Sequence, residues 1–173
     1  MDAVTHGSVS VLIGIIFIQF YQDIPFILLI ATMFVFGVLV DYDHVIYYKK
    51  KYPETQLWNI PQLIKIYFRT VDTGDDFIYH TWLHEPLGVL FVSLLSYLIF
   101  VVGNFYPPLA ILAISCYVAH FIVDLFSGKM KPLAPFNEKI TIELKVLPRN
   151  AFTAAGISLV TFLVGIGVQI SLS

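Results

Sequence analysis

The sequence predicts an all-α membrane protein: a polytopic bundle of about five transmembrane helices that forms a single domain over residues 1–173. Of the 173 residues, 58% are hydrophobic and only 13% are charged, whereas soluble domains carry roughly 25% charged residues. The mean hydropathy is +0.81. The apolar residues fall in five runs, and helices are favoured because each satisfies its own backbone hydrogen bonds where lipid offers no partners.

The five runs define the predicted helices, which cover residues 8–20, 24–39, 86–102, 107–126 and 151–172. The first two are at or below the roughly 17-residue lower limit for a spanning helix. They form either a hairpin of short, tilted helices or segments partly shielded by the longer ones. Neither Lys nor Arg precedes the first run and no small-residue cleavage site follows it, so we expect a retained membrane segment.

The polar stretches predict the orientation. All ten basic residues lie in two of them, five in residues 45–79 and five in residues 127–150. Five crossings place both stretches on one side, and the bias of Lys and Arg toward the cytoplasm then puts the N-terminus inside and the C-terminus outside. Residues 58–71 predict an interfacial helix, and residues 140–146 alternate as a short strand does. The net charge of −2 gives no indication of nucleic-acid binding.

The ionisable residues converge on the same predicted side. The segment Asp41-Tyr42-Asp43-His44 follows the second run, and Asp124 lies one turn after His120, so the last two side chains share a helix face. An unpaired carboxylate in the last turns of an apolar helix is costly and indicates function. Imidazoles and carboxylates are ligands for divalent metals. The candidate ligands are His6, Asp41, Asp43, His44, His80, His84, His120 and Asp124.

Each of these residues also has an ordinary interpretation. A single His or Asp at a helix end is more often a solvated cap than a ligand, and it is the number of converging residues that favours a metal site. The segment His80-Thr-Trp-Leu-His84-Glu85 differs from the H-E-x-x-H zinc signature because its Glu follows the second His. Pro86 makes the third helix begin near Glu85 or kink, which leaves both histidines on a turn.

These motifs resemble the YdjM-like, LexA-binding inner-membrane-associated proteins, a family of membrane-bound metal-dependent hydrolases. The matching segments are Thr5-His6, Asp41-Tyr42-Asp43-His44, Leu83-His84-Glu85, His120 to Asp124, and Pro135-Phe136. The chain departs from the family pattern in having Val40 in place of a proline, no Arg after His80, and Glu85 in place of a serine. The resemblance implies metal ligation by His6, Asp41, Asp43, His84, His120 and Asp124.

We therefore expect a hydrolase with one or two divalent metals at the cytoplasmic membrane surface, two being favoured because eight ligands are too many for one four-coordinate ion. Imidazoles suit zinc, while carboxylates admit manganese or iron. Glu85 or Asp41 is the expected general base. Lys129 and Lys131 are candidate phosphate ligands, or simply positive-inside anchors. A site at headgroup level indicates a lipid phosphoester as substrate. The alternatives are a divalent-metal transporter and a non-catalytic scaffold that metal stabilises.

Overall fold

A computed structural model of the chain describes residues 3–42, 49, 53, 56, 58–59, 61–62, 82–127, 129–130, 132–133, 136, 139–140, 142–143 and 151–172. The described part is helical apart from one short strand pair. Its five α-helices are α1 (Ala3–Ile18), α2 (Phe26–Gly37), α3 (Pro86–Tyr97), α4 (Pro108–Ser127) and α5 (Ala151–Leu172).

Helix α1 begins earlier than the hydropathy pattern predicts. The expected start was residue 8, with His6 before the helix, but α1 starts at Ala3 and takes His6 into its first turns. Thr5 and His6 are 0% and 1% exposed. The helix therefore includes these polar residues, because neighbouring helices cover them. The hydropathy of one segment gives no information about such contacts.

Helix α2 is shorter than predicted at both ends. Pro25, in an extended conformation, precedes its first residue, as the fixed φ of proline favours. After Gly37 the chain tightens into a 3₁₀ turn, Leu39–Asp41, so Asp41 follows α2 closely. The helix thus ends one turn before the acidic segment.

Helix α3 begins where proline predicts. Pro86 is its first residue and Glu85 lies before it in an extended conformation. His84 belongs to the preceding 3₁₀ turn, Trp82–His84, as expected for a residue on a turn. Toward its far end the helix continues as a π-helical segment, Leu98–Val102, so the helical run from residue 86 to residue 102 agrees with the prediction.

Helix α4 is the central element and packs against α1, α2 and α3. Its buried positions recur every three or four residues through Leu109, Leu112, Cys116 and His120, the spacing of one helix face. Phe17 of α1, Leu29 of α2 and Phe100 of the π-helical segment pack into the same core. This face of α4 is therefore apolar along most of its length and polar at its C-terminal end.

The only helix of the described residues that is long and apolar enough to cross a membrane covers Pro108–Phe126. Shorter apolar helices cover Thr5–Ile18, Phe26–Gly37, Pro86–Val102 and Gly156–Gly167. The 12 residues of α2 extend about 18 Å at 1.5 Å per residue, against a hydrocarbon core of about 30 Å.

The predicted strand is present in part. Lys129–Met130 (β1) pairs antiparallel with Ile142–Glu143 (β2). Of the expected interfacial helix at residues 58–71, residues 61 and 62 are helical and most of the rest lies outside the described residues. The strand pair begins two residues after α4, directly beyond the polar end of that helix.

Candidate metal centre

The site is built on the last turns of α4. His120 and Asp124 are separated by four residues on one face of the helix, which brings His120 Nε2 to 3.3 Å from Asp124 Oδ2. The side chain of His120 is 2% exposed and that of Asp124 is 21% exposed. The imidazole is thus sealed in the bundle, while one side of the carboxylate remains open.

Helix α1 adds a second imidazole. His6 Nε2 lies 3.2 Å from Asp124 Oδ1, the other oxygen of the same carboxylate. The His6 and His120 rings are stacked, with centroids 3.7 Å apart and planes inclined by 15°. The two imidazoles therefore share the two oxygens of one carboxylate, and α1 and α4 meet at this point.

The turn before α3 adds a third imidazole at greater distance. His84 Nε2 is 3.9 Å from Asp124 Oδ2, and its ring centroid is 5.1 Å from that of His120. This turn is fixed to α4 because the Tyr117 hydroxyl donates a hydrogen bond to the Leu83 carbonyl. Tyr117 lies three residues before His120, so the same helix holds the turn and presents the carboxylate.

The carbonyl of Gly37 orients His120. His120 Nδ1 lies 3.0 Å from that oxygen, and since a carbonyl only accepts, Nδ1 carries the hydrogen. The carbonyl is available because the last four carbonyls of a helix have no partner within it, and Gly37 is the last residue of α2. Outer partners of this kind set the tautomer and direction of metal-binding histidines.

Because Nδ1 of His120 carries the hydrogen, Nε2 of the neutral ring has none and turns its lone pair toward the Asp124 carboxylate. A lone pair and a carboxylate repel each other, so a cation, either a second proton or a metal ion, is needed between them. One ligand atom from each of His6, His120 and Asp124 lies within 4.8 Å of the others. At zinc–ligand distances of 2.0–2.1 Å, neighbouring ligands of a tetrahedral ion are about 3.3 Å apart.

The 3.2 and 3.3 Å separations between imidazole and carboxylate are close to that distance, and they run to the two different oxygens of the carboxylate, from His6 to Oδ1 and from His120 to Oδ2. The donor set of two imidazoles and one carboxylate is also that of catalytic zinc sites. The donor set therefore suits a divalent ion, and one ligand atom from each of the three residues lies within reach of a shared ion.

Gly37 also sets how closely α1 and α2 approach. A Cβ atom on Gly37 would lie 1.8 Å from Ser10 Oγ and 2.6 Å from Ser10 Cβ. Ser10 lies one turn after His6 on α1, so the missing side chain is what lets α1 bring His6 onto His120. One glycine thus serves the site twice, by its carbonyl and by its lack of a side chain.

The structure brings together four of the predicted ligands: His6, His84, His120 and Asp124. Glu85, a predicted general base, is 0% exposed and directly follows His84. For Asp41, at the end of the turn after α2, and for Lys129, in β1, the description covers the backbone and not the side chain. The remaining predicted residues, Asp43, His44, His80 and Lys131, lie outside the described residues.

Sequence reasoning missed Gly37 and Tyr117. A glycine near the end of an apolar run indicates a helix terminus, which was the available signal for Gly37, but its partner His120 is 83 residues away in the chain. Tyr117 carried no signal, because an aromatic residue at this spacing is typical of a core face.

The fold and the site together define an all-α protein with a buried histidine–aspartate cluster at one end of a helix that can cross a membrane. The family model for the YdjM inner membrane protein matches residues 1–171. The chain belongs to this family, as its motifs indicate. Comparison with curated proteins and with solved structures gives no match.

Proposed function

We propose that this protein is a membrane-embedded, metal-dependent hydrolase whose substrate is a phosphoester of the lipid type. The observation that carries the proposal is the cluster of His6, His120 and Asp124, in which the two imidazoles lie 3.2 and 3.3 Å from the two oxygens of a partly exposed carboxylate. Catalytic zinc sites have three protein ligands and an open fourth position, whereas structural sites have four. The 21% exposure of the Asp124 side chain supports an open position.

The proposed topology has five crossings, with both basic stretches and the metal centre on the cytoplasmic side. It is supported by the placement of all ten basic residues in two stretches and by the bias of Lys and Arg. The ligands on α1 and α4, at the N-terminal and C-terminal ends of these helices, lie at one end of the bundle. In this proposal the bilayer is locally thinner around the shorter helices, or neighbouring helices shield their ends from lipid.

The residues of the chain have distinct roles in the proposed reaction. His6, His120 and Asp124 would hold the ion, and when bound it would supply Lewis-acid polarisation of the phosphoryl group and make water more acidic. Glu85 or Asp41 accepts the proton that water loses on attack and returns it to the leaving alkoxide oxygen. Lys129 and Lys131, shortly after Asp124, hold the phosphate by charge. Zinc is the proposed ion, with manganese and iron as alternatives.

A second ion belongs to the proposal as a separate component. Asp41, Asp43, His44 and His80 would hold it, and it would help to stabilise the attacking and leaving oxygens. Metal stoichiometry tests it directly: two ions per chain in the wild type support the dinuclear form, and one ion per chain excludes it.

One observation favours a second candidate, a non-catalytic scaffold. If His84, whose Nε2 is 3.9 Å from Asp124, were a fourth ligand, the site would have no open position. The site would then only connect α1, α4 and the turn before α3. A transporter is less well supported, because transporters place their ligands near the bilayer midplane and these lie near helix ends.

The test compares two aspartate variants of the purified protein. Asp124→Asn removes the charge at the centre of the cluster, while Asp23→Asn is the matched control, since Asp23 is exposed in the loop between α1 and α2, at the opposite end of α1. Bound metal and turnover of a phospholipid panel are measured for both. We expect Asp23→Asn to retain metal and activity and Asp124→Asn to lose both.

Three results would distinguish the candidates. Equal turnover by both variants would refute hydrolysis at the cluster that contains Asp124. Metal retained by the wild type without turnover of any phosphoester, together with lower thermal stability on chelation, would favour the scaffold. Metal accumulation by sealed vesicles containing the wild type would favour transport.

A further inference from the structure

The segment directly beyond α4 exposes several large apolar side chains. This segment, the hairpin, consists of β1, β2 and the residues between them (129–143). Phe136 is 87% exposed, and Leu133, Ile140 and Ile142 are 42–47% exposed. Isolated apolar residues on a surface are common, but four within ten consecutive residues of a polar loop indicate a surface that another molecule covers.

The stretch that contains the hairpin is also basic. Residues 127–150 hold five of the ten basic residues and two acidic ones, Glu138 and Glu143, which gives this stretch a net charge of +3. The whole chain has a net charge of −2, so the local balance is opposite to the overall one. A cluster of about four to eight Lys and Arg next to a transmembrane helix is typical of segments that bind anionic phospholipids. A surface that is both apolar and basic suits the interface of an anionic membrane.

The connection to α4 keeps the hairpin near the bilayer. The helix that can cross a membrane ends at Phe126, three residues before Lys129, and three residues extend at most about 11 Å. Glu143 pairs with Lys129, so the second strand returns to the same height. The headgroup layer on each side of the hydrocarbon core is about 5 to 8 Å thick. With Phe126 at the edge of the core, the base of the hairpin lies in the headgroup layer or just outside it.

We infer that the hairpin lies on the cytoplasmic surface of the membrane, where Phe136 inserts among the acyl chains and the basic residues of the stretch bind anionic headgroups. The bias of Lys and Arg toward the cytoplasm accounts for the charge but not for the exposed apolar side chains. Phe136 gains most from insertion, because nearly all of its surface is otherwise open to water. The inference rests on the proposed membrane placement of α4 and not on hydrolysis. Since Asp124 lies five residues before Lys129, the bound headgroups lie next to the polar end of α4.

Nitroxide labels on single cysteines test the inference by measuring depth in the bilayer. Phe136→Cys and Leu133→Cys place the label on the hairpin, and both residues are exposed, so these substitutions leave the core intact. Ile111→Cys on α4, where Ile111 is 52% exposed, is the control for a position in the bilayer. Asp23→Cys, in the exposed loop between α1 and α2, is the control for a position in water. Cys116 is 1% exposed, and wild-type protein treated with the label is the blank.

Electron paramagnetic resonance compares how strongly each label is relaxed by oxygen, which concentrates among acyl chains, and by a water-soluble nickel complex present on both sides of the bilayer. The vesicles contain phosphatidylcholine with or without the anionic lipid phosphatidylglycerol. In anionic vesicles we expect the ratio of oxygen to nickel accessibility at residues 133 and 136 to be several-fold above that at residue 23, and to approach that at residue 111. In phosphatidylcholine alone the ratio at residue 136 should fall toward that at residue 23, while the ratio at residue 111 stays unchanged.

Three results would overturn the inference. Nickel accessibility at residue 136 equal to that at residue 23 in anionic vesicles would place the hairpin in water. Low accessibility to both reagents would show that protein covers the hairpin, either a second copy or another part of this chain. An equal ratio at residue 136 in the two kinds of vesicle would exclude the binding of anionic headgroups.

The same labels separate this inference from the proposed function. Nickel accessibility at residue 111 would refute the proposed placement of α4, whereas hairpin labels that remain among the acyl chains would still support insertion. The measurement needs no turnover, so an inserted hairpin on a protein that hydrolyses no phosphoester would refute the hydrolase and leave the hairpin standing.

Discussion

Replacing Gly37 with alanine is expected to weaken metal binding by about 10- to 100-fold, the usual effect of disturbing outer partners of metal ligands. The new Cβ would lie 2.6 Å from Ser10 Cβ, where carbon atoms normally stay about 3.5 Å or more apart. No side-chain rotation moves a Cβ, so α1 and α2 must separate by about 1 Å. His6 moves with α1 and the carbonyl that orients His120 moves with α2, so the 3.2 and 3.3 Å separations from the Asp124 carboxylate both change.

The same substitution also has a cost in stability. Overpacking of a close helix contact costs about 1–3 kcal/mol, so a folded protein with reduced metal affinity is expected rather than an unfolded one. Calorimetric titration with Zn²⁺ in detergent measures the affinity, and thermal unfolding of the metal-free protein measures the stability. Gly156→Ala is the matched control, because a Cβ at Gly156 meets nothing within 4 Å, and it should leave both quantities near wild type or raise stability slightly.

A second substitution distinguishes the clash from any other effect of alanine at this position. Ser10→Gly removes both atoms that the new Cβ would meet, so the double variant Gly37→Ala/Ser10→Gly should recover most of the lost metal affinity. A mid-helix glycine still lowers stability by roughly 0.5–1 kcal/mol. Wild-type affinity in Gly37→Ala, or no recovery in the double variant, would refute the argument that this contact positions the ligands.

Three further outcomes follow from the geometry. His84→Ala should reduce Zn²⁺ affinity less than His6→Ala in the same titration. The reason is that His84 Nε2 is 3.9 Å from the Asp124 carboxylate, whereas His6 Nε2 is 3.2 Å from it. An equal loss of affinity would indicate that His84 is also a ligand. Chelation should lower the free energy of unfolding by about 2.7 kcal/mol where the metal stood at 100 times its Kd, and an unchanged thermal midpoint would contradict this. Leu112 is 0% exposed, so Leu112→Ala should lower the free energy of unfolding, measured with denaturant, by about 2–5 kcal/mol. Leu90 is 66% exposed, and Leu90→Ala should lower it by under about 0.5 kcal/mol. Similar losses in the two variants would contradict the burial pattern.

The helical class and the pairing of His120 with Asp124 on α4 were predictable because both depend on local periodicity. His120 and Asp124 are four residues apart, and that spacing alone places them on one face. Proline likewise located the start of α3 at Pro86. The family match over residues 1–171 agrees with the motifs read from the sequence.

Tertiary relations were not predictable from such patterns. The start of α1 was placed five residues late because Thr5 and His6 are polar, yet both are covered by other helices. The role of Gly37 depends on a carbonyl, which every residue has, and on a contact with Ser10 across two helices. Apart from the glycine itself, neither hydropathy nor residue type along the chain indicates the carbonyl hydrogen bond or the contact with Ser10.

The carboxylate of Asp124 has consequences for biosynthesis, because its first histidine partner is made 118 residues earlier (124 − 6). At a synthesis rate of about 5–20 residues per second, Asp124 is added to the chain roughly 6 to 24 seconds after His6. Of the described helices that pack against α1, only α2 is made before α3. Capture of the proposed ion would therefore come late in synthesis, after α4 has been made and has packed against α1.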